Sequence, residues 1–340
     1  MKKKSVFIYL ILLLAVVASS YLYWKYFSSN TAFSENKKYF YVSTGSDYQK
    51  LLSGLDSGGY LENRASFERM AQSMGLPSSI HPGKYAIQQG MSNYAIVRML
   101  RSGAQEPVKL VITKLRTNRD ILRKLALPLE ADTNDFKAVV YNPTWLDSLG
   151  IDSNQLQCVV MPNTYEVYWN TPASKVMEKI TKYQARFWNE TRVQKAKKLG
   201  YTKAQIMTIA SIVDEETLKK EDKYKIASTY LNRLRIGMPL QADPTLKFGL
   251  NNFGLKRILK VHTQIPTAYN TYLNKGLPPG PICTPMEETI DAVLDAPTTT
   301  YLYFCAREDF SGYSNFAATL SEHEENARRY QKALNERGIK

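Results

Sequence analysis

Three consecutive acids, Asp214, Glu215 and Glu216, close a segment, Ala204–Thr217, that otherwise reads as an apolar helix. Acids are unfavourable at a helix C-terminus, where the backbone dipole is negative, so their clustering there asks for a reason. Helical periodicity separates the three. Ile206, Ile209, Ala210, Ile212 and Val213 define an apolar stripe, and Glu216 falls within about 20° of Ile209 in projection. Glu215 then points to the opposite side and Asp214 to the flank. A lone carboxyl on an apolar face is desolvated, and the negative helix end adds to this, so both effects favour the protonated form. An acid that keeps its proton near neutral pH is what a glycosidic leaving oxygen requires. Spacing alone leaves a second reading open, a buried ion pair of Glu216 with Arg233 or Arg235. Asp214 and Glu215 read as solvated or supporting acids.

Polar loops follow. Two prolines stiffen 238–245 and present Gln241, Asp243 and Thr245 in a fixed array. Pro266–Tyr272 offers Tyr269, Asn270 and Tyr272, and Gly276–Ile282 is rich in proline and glycine. Flat aromatic faces with amide and hydroxyl partners suit a saccharide. The same composition also suits a rigid connection that binds nothing. Other chemistries find little support. The three histidines, at 81, 262 and 323, form no His-x-x-x-His pair, and there is no Gly-x-Ser-x-Gly elbow or phosphate loop. Neither a metal nor a cofactor is expected.

The elements that must hold these residues are partly visible. Thr202 and Gln205 match a capping box at the start of the acidic helix. Asp222–Arg235 reads as the next helix, ended by Gly237, and Ser174–Leu199 as one long helix with a basic, solvated face. Residues 118–200 read as mainly helical. Earlier, Tyr39–Val42 reads as a strand, Pro82–Ile87 as a turn running into a strand, and Tyr48–Leu55, Ala65–Met74 and Met91–Leu100 as helices, a small α+β unit, with Val108–Ile112 as a further strand.

The N-terminus sets the compartment. Lys2, Lys3 and Lys4 precede an apolar run from Val6 to Leu22, and Tyr21, Tyr23, Trp24, Tyr26 and Phe27 cluster at its far end. That pattern predicts a single membrane-spanning helix in the cytoplasmic membrane, with the N-terminus in the cytoplasm and an aromatic belt outside. A cleaved signal peptide, with Val16-Val17-Ala18 before the cut, is the rival. Either places residues 30–340 outside the cytoplasm. The net charge of +14 favours a polyanionic partner. Nucleic acid falls behind anionic lipid and acidic wall polymer, because no nucleic-acid-binding motif is present. Three cysteines, at 158, 283 and 305, do not form a disulfide framework and read as buried thiols.

Five ordered motifs then carry a resemblance. Ala210–Thr217, Asn232–Met238, Leu240–Thr245, Tyr269–Tyr272 and Gly276–Gly280 resemble, in order and spacing, the YceG-like family of endolytic murein transglycosylases. Met161–Glu166 and Tyr301–Phe304 also fit, and 39–105 is similar to the family's LysM-like domain. The resemblance implies an α+β fold in five parts: a cytoplasmic tip and anchor (1–27), a linker (28–38), a LysM-like domain (39–105), a strand and helical subdomain (106–200), and a mixed α/β catalytic domain (201–340). It implies that Glu216 is the catalytic acid and base, and that cleavage between MurNAc and GlcNAc leaves a 1,6-anhydro-MurNAc end. Substrate contacts are expected from Asn232, Gln241, Asp243, Thr245, Tyr269, Asn270, Tyr272 and Ser314. Partners would be peptidoglycan glycan strands, the cytoplasmic membrane and the cell-wall synthesis machinery. Asn163, Ser314 and Glu324 depart from the family pattern, which commonly has Asp, His and Asn there. A lysozyme-type hydrolase and a non-catalytic glycan-binding scaffold are the alternatives.

Overall fold

The computed structural model describes residues 2–338 except Lys256; the side chains of residues 2–6, 22 and 25 also lie outside the description. The chain forms two compact units. The first comprises residues 1–109, 128–131 and 166–172, and the second comprises the remainder.

The first unit begins with α1 (Lys2–Phe27). Its described side chains from Phe7 to Val17 are almost all large, apolar and more than half exposed. Among the described residues no helix is long and apolar enough to cross a membrane. Both end residues of the Val6–Leu22 run, and the lysine triplet before it, have side chains outside those described. After α1 come β1 (Lys37–Val42), α2 (Tyr48–Ser57), α3 (Arg64–Ser73), β2 (Gly83–Gln88) and α4 (Asn93–Ser102). β1 and β2 pair antiparallel, with Lys37 opposite Gln88 and Val42 opposite Gly83. Alternation turns Phe40, Val42, Tyr85 and Ile87 inward onto Leu51, Leu55, Phe67, Ile96 and Leu100. Each apolar side chain so buried contributes about 1.5–3 kcal/mol.

Asp47, Asn63 and Ser92 cap the three short helices by accepting from the amides of Lys50, Ser66 and Ala95. The helix expected from Met91 therefore begins at Asn93. The 28–38 segment is not a free linker. Asn30 is buried and donates to the Asn63 carbonyl and to Asn93 Oδ1, while its own Oδ1 accepts from the Asn63 amide.

The chain leaves the first unit within β3 (Val108–Ile112), which forms a two-stranded sheet with β4 (Asn163–Val167). Between these strands lie α5 (Asn118–Ala126), α6 (Thr133–Val140) and α7 (Pro143–Leu149). The expected long helix after β4 is two: α8 (Ala173–Phe187) and α9 (Glu190–Leu199). Asn189 breaks it, because its side chain accepts from the Arg192 amide and caps a new helix.

Then come α10 (Lys203–Glu216), α11 (Lys220–Arg235), α12 (Asp243–Gly249), α13 (Lys260–Thr263), α14 (Glu287–Leu294), β5 (Tyr303–Ala306), β6 (Ser314–Ala317) and α15 (Leu320–Glu336). β5 and β6 form an antiparallel pair. The second unit is thus mostly helical, and among the described residues its strands form two-stranded pairs. Its core is built where α10, α11 and α14 meet, around Ile209, Val213, Ile226, Tyr230, Ile290 and Val293. Cys158 and Cys283 are buried in this unit, Cys305 is partly exposed, and all three are free thiols.

Candidate active site

Helix α10 starts where its sequence says it should. Thr202 Oγ1 accepts from the Gln205 amide at 3.2 Å and Gln205 Oε1 accepts from the Thr202 amide at 2.8 Å. It is not amphipathic, however. Every residue from Ile206 to Asp214 is buried, including Met207, Thr208 and Ser211, which lie off the apolar stripe. A helix enclosed on all sides is a central strut of the core.

Its three terminal acids have three different environments. Asp214 is not solvated: it is 3% exposed, and its Oδ1 lies 3.0 Å from Lys223 Nζ and accepts from Thr289 Oγ1 at 2.6 Å. Lys223 is equally buried and also reaches Glu288 at 2.6 Å. Glu215 pairs with Lys114 at 2.9 Å and Arg116 at 2.7 Å. Both acids are thus neutralised by cations.

Glu216 is partly exposed and has no cation within ion-pair distance among the described residues. Its Oε1 accepts a hydrogen bond from the Tyr230 hydroxyl at 2.7 Å. Burial pushes its carboxyl up from 4.5 to about 7; the Tyr230 hydrogen bond opposes this, the Asp243 charge adds to it, and Arg233 and Lys247 oppose it. The ion pair with Arg233 or Arg235 does not form. Arg233 donates instead to the carbonyls of Leu302 and Leu240, each at 2.6 Å, and Arg235 to Asn232 Oδ1.

Tyr230 was not legible as a site residue. With Ile226 and Ala227 it lies on the apolar face of α11, where a tyrosine reads as core. Burial raises its own hydroxyl well above 10, as does the nearby Glu216 charge, so it acts as a donor.

The expected loop residues divide into two groups. Asp243 lies near enough to Glu216 to raise its proton affinity, and it accepts from the Tyr272 hydroxyl. Gln241 is exposed and sits at φ 49°, a strained conformation for a residue with a side chain. Tyr269 packs against Phe248 with ring centroids 4.6 Å apart, and burial lifts its hydroxyl to about 12.

The second group faces inward. Asn270 is fully buried, and its amide donates to the carbonyls of Thr263 and Ile265. Thr245 is fully buried against Ala242 and Thr271. Asn232 donates to the carbonyls of Thr299 and Tyr301. As arranged, the side chains of Asn232, Thr245 and Asn270 donate to backbone carbonyls and hold the loops in place. Ser314 begins β6, where its amide donates to Asp222.

Thr271, not singled out from sequence, is the joint between the two loops. Its carbonyl accepts from the Gln241 amide and its hydroxyl from the Ala242 amide, each at 3.0 Å. The segment expected as a rigid Pro-rich loop becomes helical at Asp243, because Pro244 in a first turn needs no amide partner. The 276–282 loop is seated on α10 by the Ile282 amide donating to Ser211 Oγ. A side chain at Gly280 would meet the Asn154 carbonyl at 2.5 Å, so glycine is required for this approach.

A central helix ending in one uncompensated acid, bordered by loops locked to one another, defines the class of molecule. The profile of the YceG-like family matches residues 40–329, and the chain belongs to that family. Among its relatives is an endolytic murein transglycosylase of Bacillus subtilis (strain 168), 28% identical over 314 residues that cover 87% of this chain and 85% of the relative. A second, from Streptococcus pneumoniae (serotype 2, strain D39), carries the same name and is 26% identical over 86% of this chain and 58% of its own length. A crystal structure of a yceG-like protein from Listeria monocytogenes shares the fold. It has a TM-score of 0.57 and 23% identity, and the match covers 86% of this chain and 99% of that one.

Proposed function

We propose that this chain is an endolytic murein transglycosylase with Glu216 as its acid and base. The observation that carries the reading is the Glu216 carboxyl, which stays protonated to about pH 7 while both neighbouring acids are paired with cations. Glu216 transfers its proton to the glycosidic oxygen between MurNAc and GlcNAc as the bond from that oxygen to C1 breaks. The resulting carboxylate takes the proton of the MurNAc 6-hydroxyl while that oxygen bonds to C1. The products are a 1,6-anhydro-MurNAc end and a free GlcNAc 4-hydroxyl, and no water is consumed. Tyr230 pins Oε1, so it orients the acid. Asp243, Gln241, Tyr269 and Tyr272 are the candidate contacts for the sugars.

We place the active part outside the cytoplasmic membrane, with α1 as a single anchor, N-terminus inward, and the first unit as LysM-like. Supporting the anchor are the exposed apolar side chains of α1, with Tyr23 and Trp24, both exposed, towards its far end. An anchor of this kind would make nascent strands near the synthesis machinery the natural substrate.

Mass spectrometry of glycan fragments after digestion tests the reaction. Anhydro ends are expected. Reducing ends would assign a lysozyme-type hydrolase, and undigested strands would leave a binding scaffold.

A further inference from the structure

A surface concavity of the second unit has the chemistry of an anion site. It is an open depression of about 300 Å3 between the segment after β3 and helix α5, bordered by Phe253. Four cations line it: Lys114, Arg116, Arg123 and Lys124. Two of these are already engaged by Glu215. The guanidinium of Arg116 is further held 5.2 Å over the Phe253 ring. Arg123 and Lys124 have no acidic partner among the described residues. The one other acid on the wall, Asp120, is occupied as a cap, accepting from the amide and hydroxyl of Thr117. Arg123, Lys124 and Leu127 follow Asp120 at helical spacing on one face of α5, so the positive charge is built in by periodicity. Leu127 is 76% exposed and Phe253 36%, which gives the rim an apolar surface beside unpaired cations.

We propose that this concavity is a subsite for a short, carboxylate-bearing peptide substituent on the glycan. The proposal rests on the murein reading, since murein carries such peptides on its strands. Arg123 and Lys124 take the carboxylate, and Leu127 and Phe253 cover the aliphatic part of the peptide. The inner pair, Lys114 and Arg116, grips Glu215, the residue immediately before Glu216. The same strand-to-helix segment therefore braces the catalytic helix and receives the substituent.

The test uses the full-length chain in detergent. A stem tripeptide with a free terminal carboxylate is titrated beside its C-terminal amide and beside inorganic pyrophosphate. The acid form is expected to bind about tenfold more tightly than the amide. That preference is expected to vanish in Arg123→Gln/Lys124→Gln and to survive in Arg123→Lys/Lys124→Arg. In digests, the neutral variant is expected to lower the ratio of rates on stem-bearing and stem-stripped strands by about tenfold. Equal binding of acid and amide, binding of pyrophosphate in place of the peptide, or an unchanged rate ratio would each overturn the subsite. Failure of the murein reading would show separately, as stem-bearing strands left uncut by the wild-type chain, and the peptide titration would still decide the subsite.

Discussion

The two units bury their polar groups in opposite ways. In the first, the buried polar residues among those described are Asn30, Ser92 and Asn93, all neutral, and they tie an entering segment to a helix. In the second, the buried polar residues include Asp214, Asp222, Lys223 and Arg233. Burying a charge costs far more than burying an amide, and it is tolerated only where partners are close. The first unit therefore reads as a scaffold stabilised by packing. The second places three acids at the end of α10 and pairs two of them with cations, leaving Glu216, while buried Asp222 on α11 is held by the Ser314 amide. The contrast locates the chemistry: the exceptional group is the acid whose partner is a phenol.

The largest expected effect follows from that exception. Glu216→Gln should slow glycan cleavage by about a thousandfold, read from fragment release at fixed enzyme concentration. The same variant tests the electrostatics without substrate. The folded carboxyl titrates near 7, above its ordinary 4.5, so the folded chain holds a proton that the unfolded chain releases. Its contribution to stability is complete below about pH 4.5 and is lost as pH rises to about 7. Glutamine is neutral throughout. Glu216→Gln should therefore be more stable than wild type at pH 8, by on the order of 2–3 kcal/mol, and nearly equal to it at pH 4. Denaturant titration at both pH values measures this. A variant less stable at pH 8 would remove the claim that this acid is held in a desolvated place.

The next pair of changes probes the contrast between the units directly. Lys223→Met leaves buried Asp214 without its cation and should cost about 3–5 kcal/mol. Asn30→Ala in the first unit removes neutral hydrogen bonds and should cost about 1–3 kcal/mol. Urea unfolding of each unit's transition gives both values. Equal costs would mean that the second unit stores no special electrostatic strain.

What could be read from sequence was what is local. The cap at Thr202, the strand at Val108–Ile112 and the place of Glu216 beyond Val213 all depend on spacing within one element. The helix dipole argument against three acids at a C-terminus is also local. The partners were not legible. Lys223 meets Asp214 nine residues away, but it meets Glu288 and Thr289 only after α14 folds back. Tyr230 carries a polar tip on a face whose pattern reads as core. Thr245 and Asn270 looked like outward ligands because amides and hydroxyls in Pro-rich loops are usually wet. They turn inward here because the loops pack on the core, and their carbonyls and amides need internal partners. The long basic helix was misread for the reverse reason: one asparagine side chain, competing locally for backbone, outweighs a continuous apolar pattern.

Tyr230→Phe should produce the smallest effect and is the sharpest test of how the exception is built. The ring packs edge-on against Phe304 with centroids 5.9 Å apart, so phenylalanine keeps the packing and removes only the hydroxyl. That hydroxyl lowers the proton affinity of Glu216 by donating to its carboxylate. Removing it raises the value above 7. The active form of the acid is protonated, so the alkaline limb of the rate profile should move upward, by less than about one pH unit, since one neutral hydrogen bond contributes about 1 kcal/mol. The plateau should fall a few-fold as the carboxyl loses its fixed orientation. A limb that moves downward would show that the hydroxyl supports the protonated acid and not the carboxylate. Tyr230 would then belong to the proton-holding machinery itself, and burial alone would no longer account for an acid that resists ionisation at a helix end.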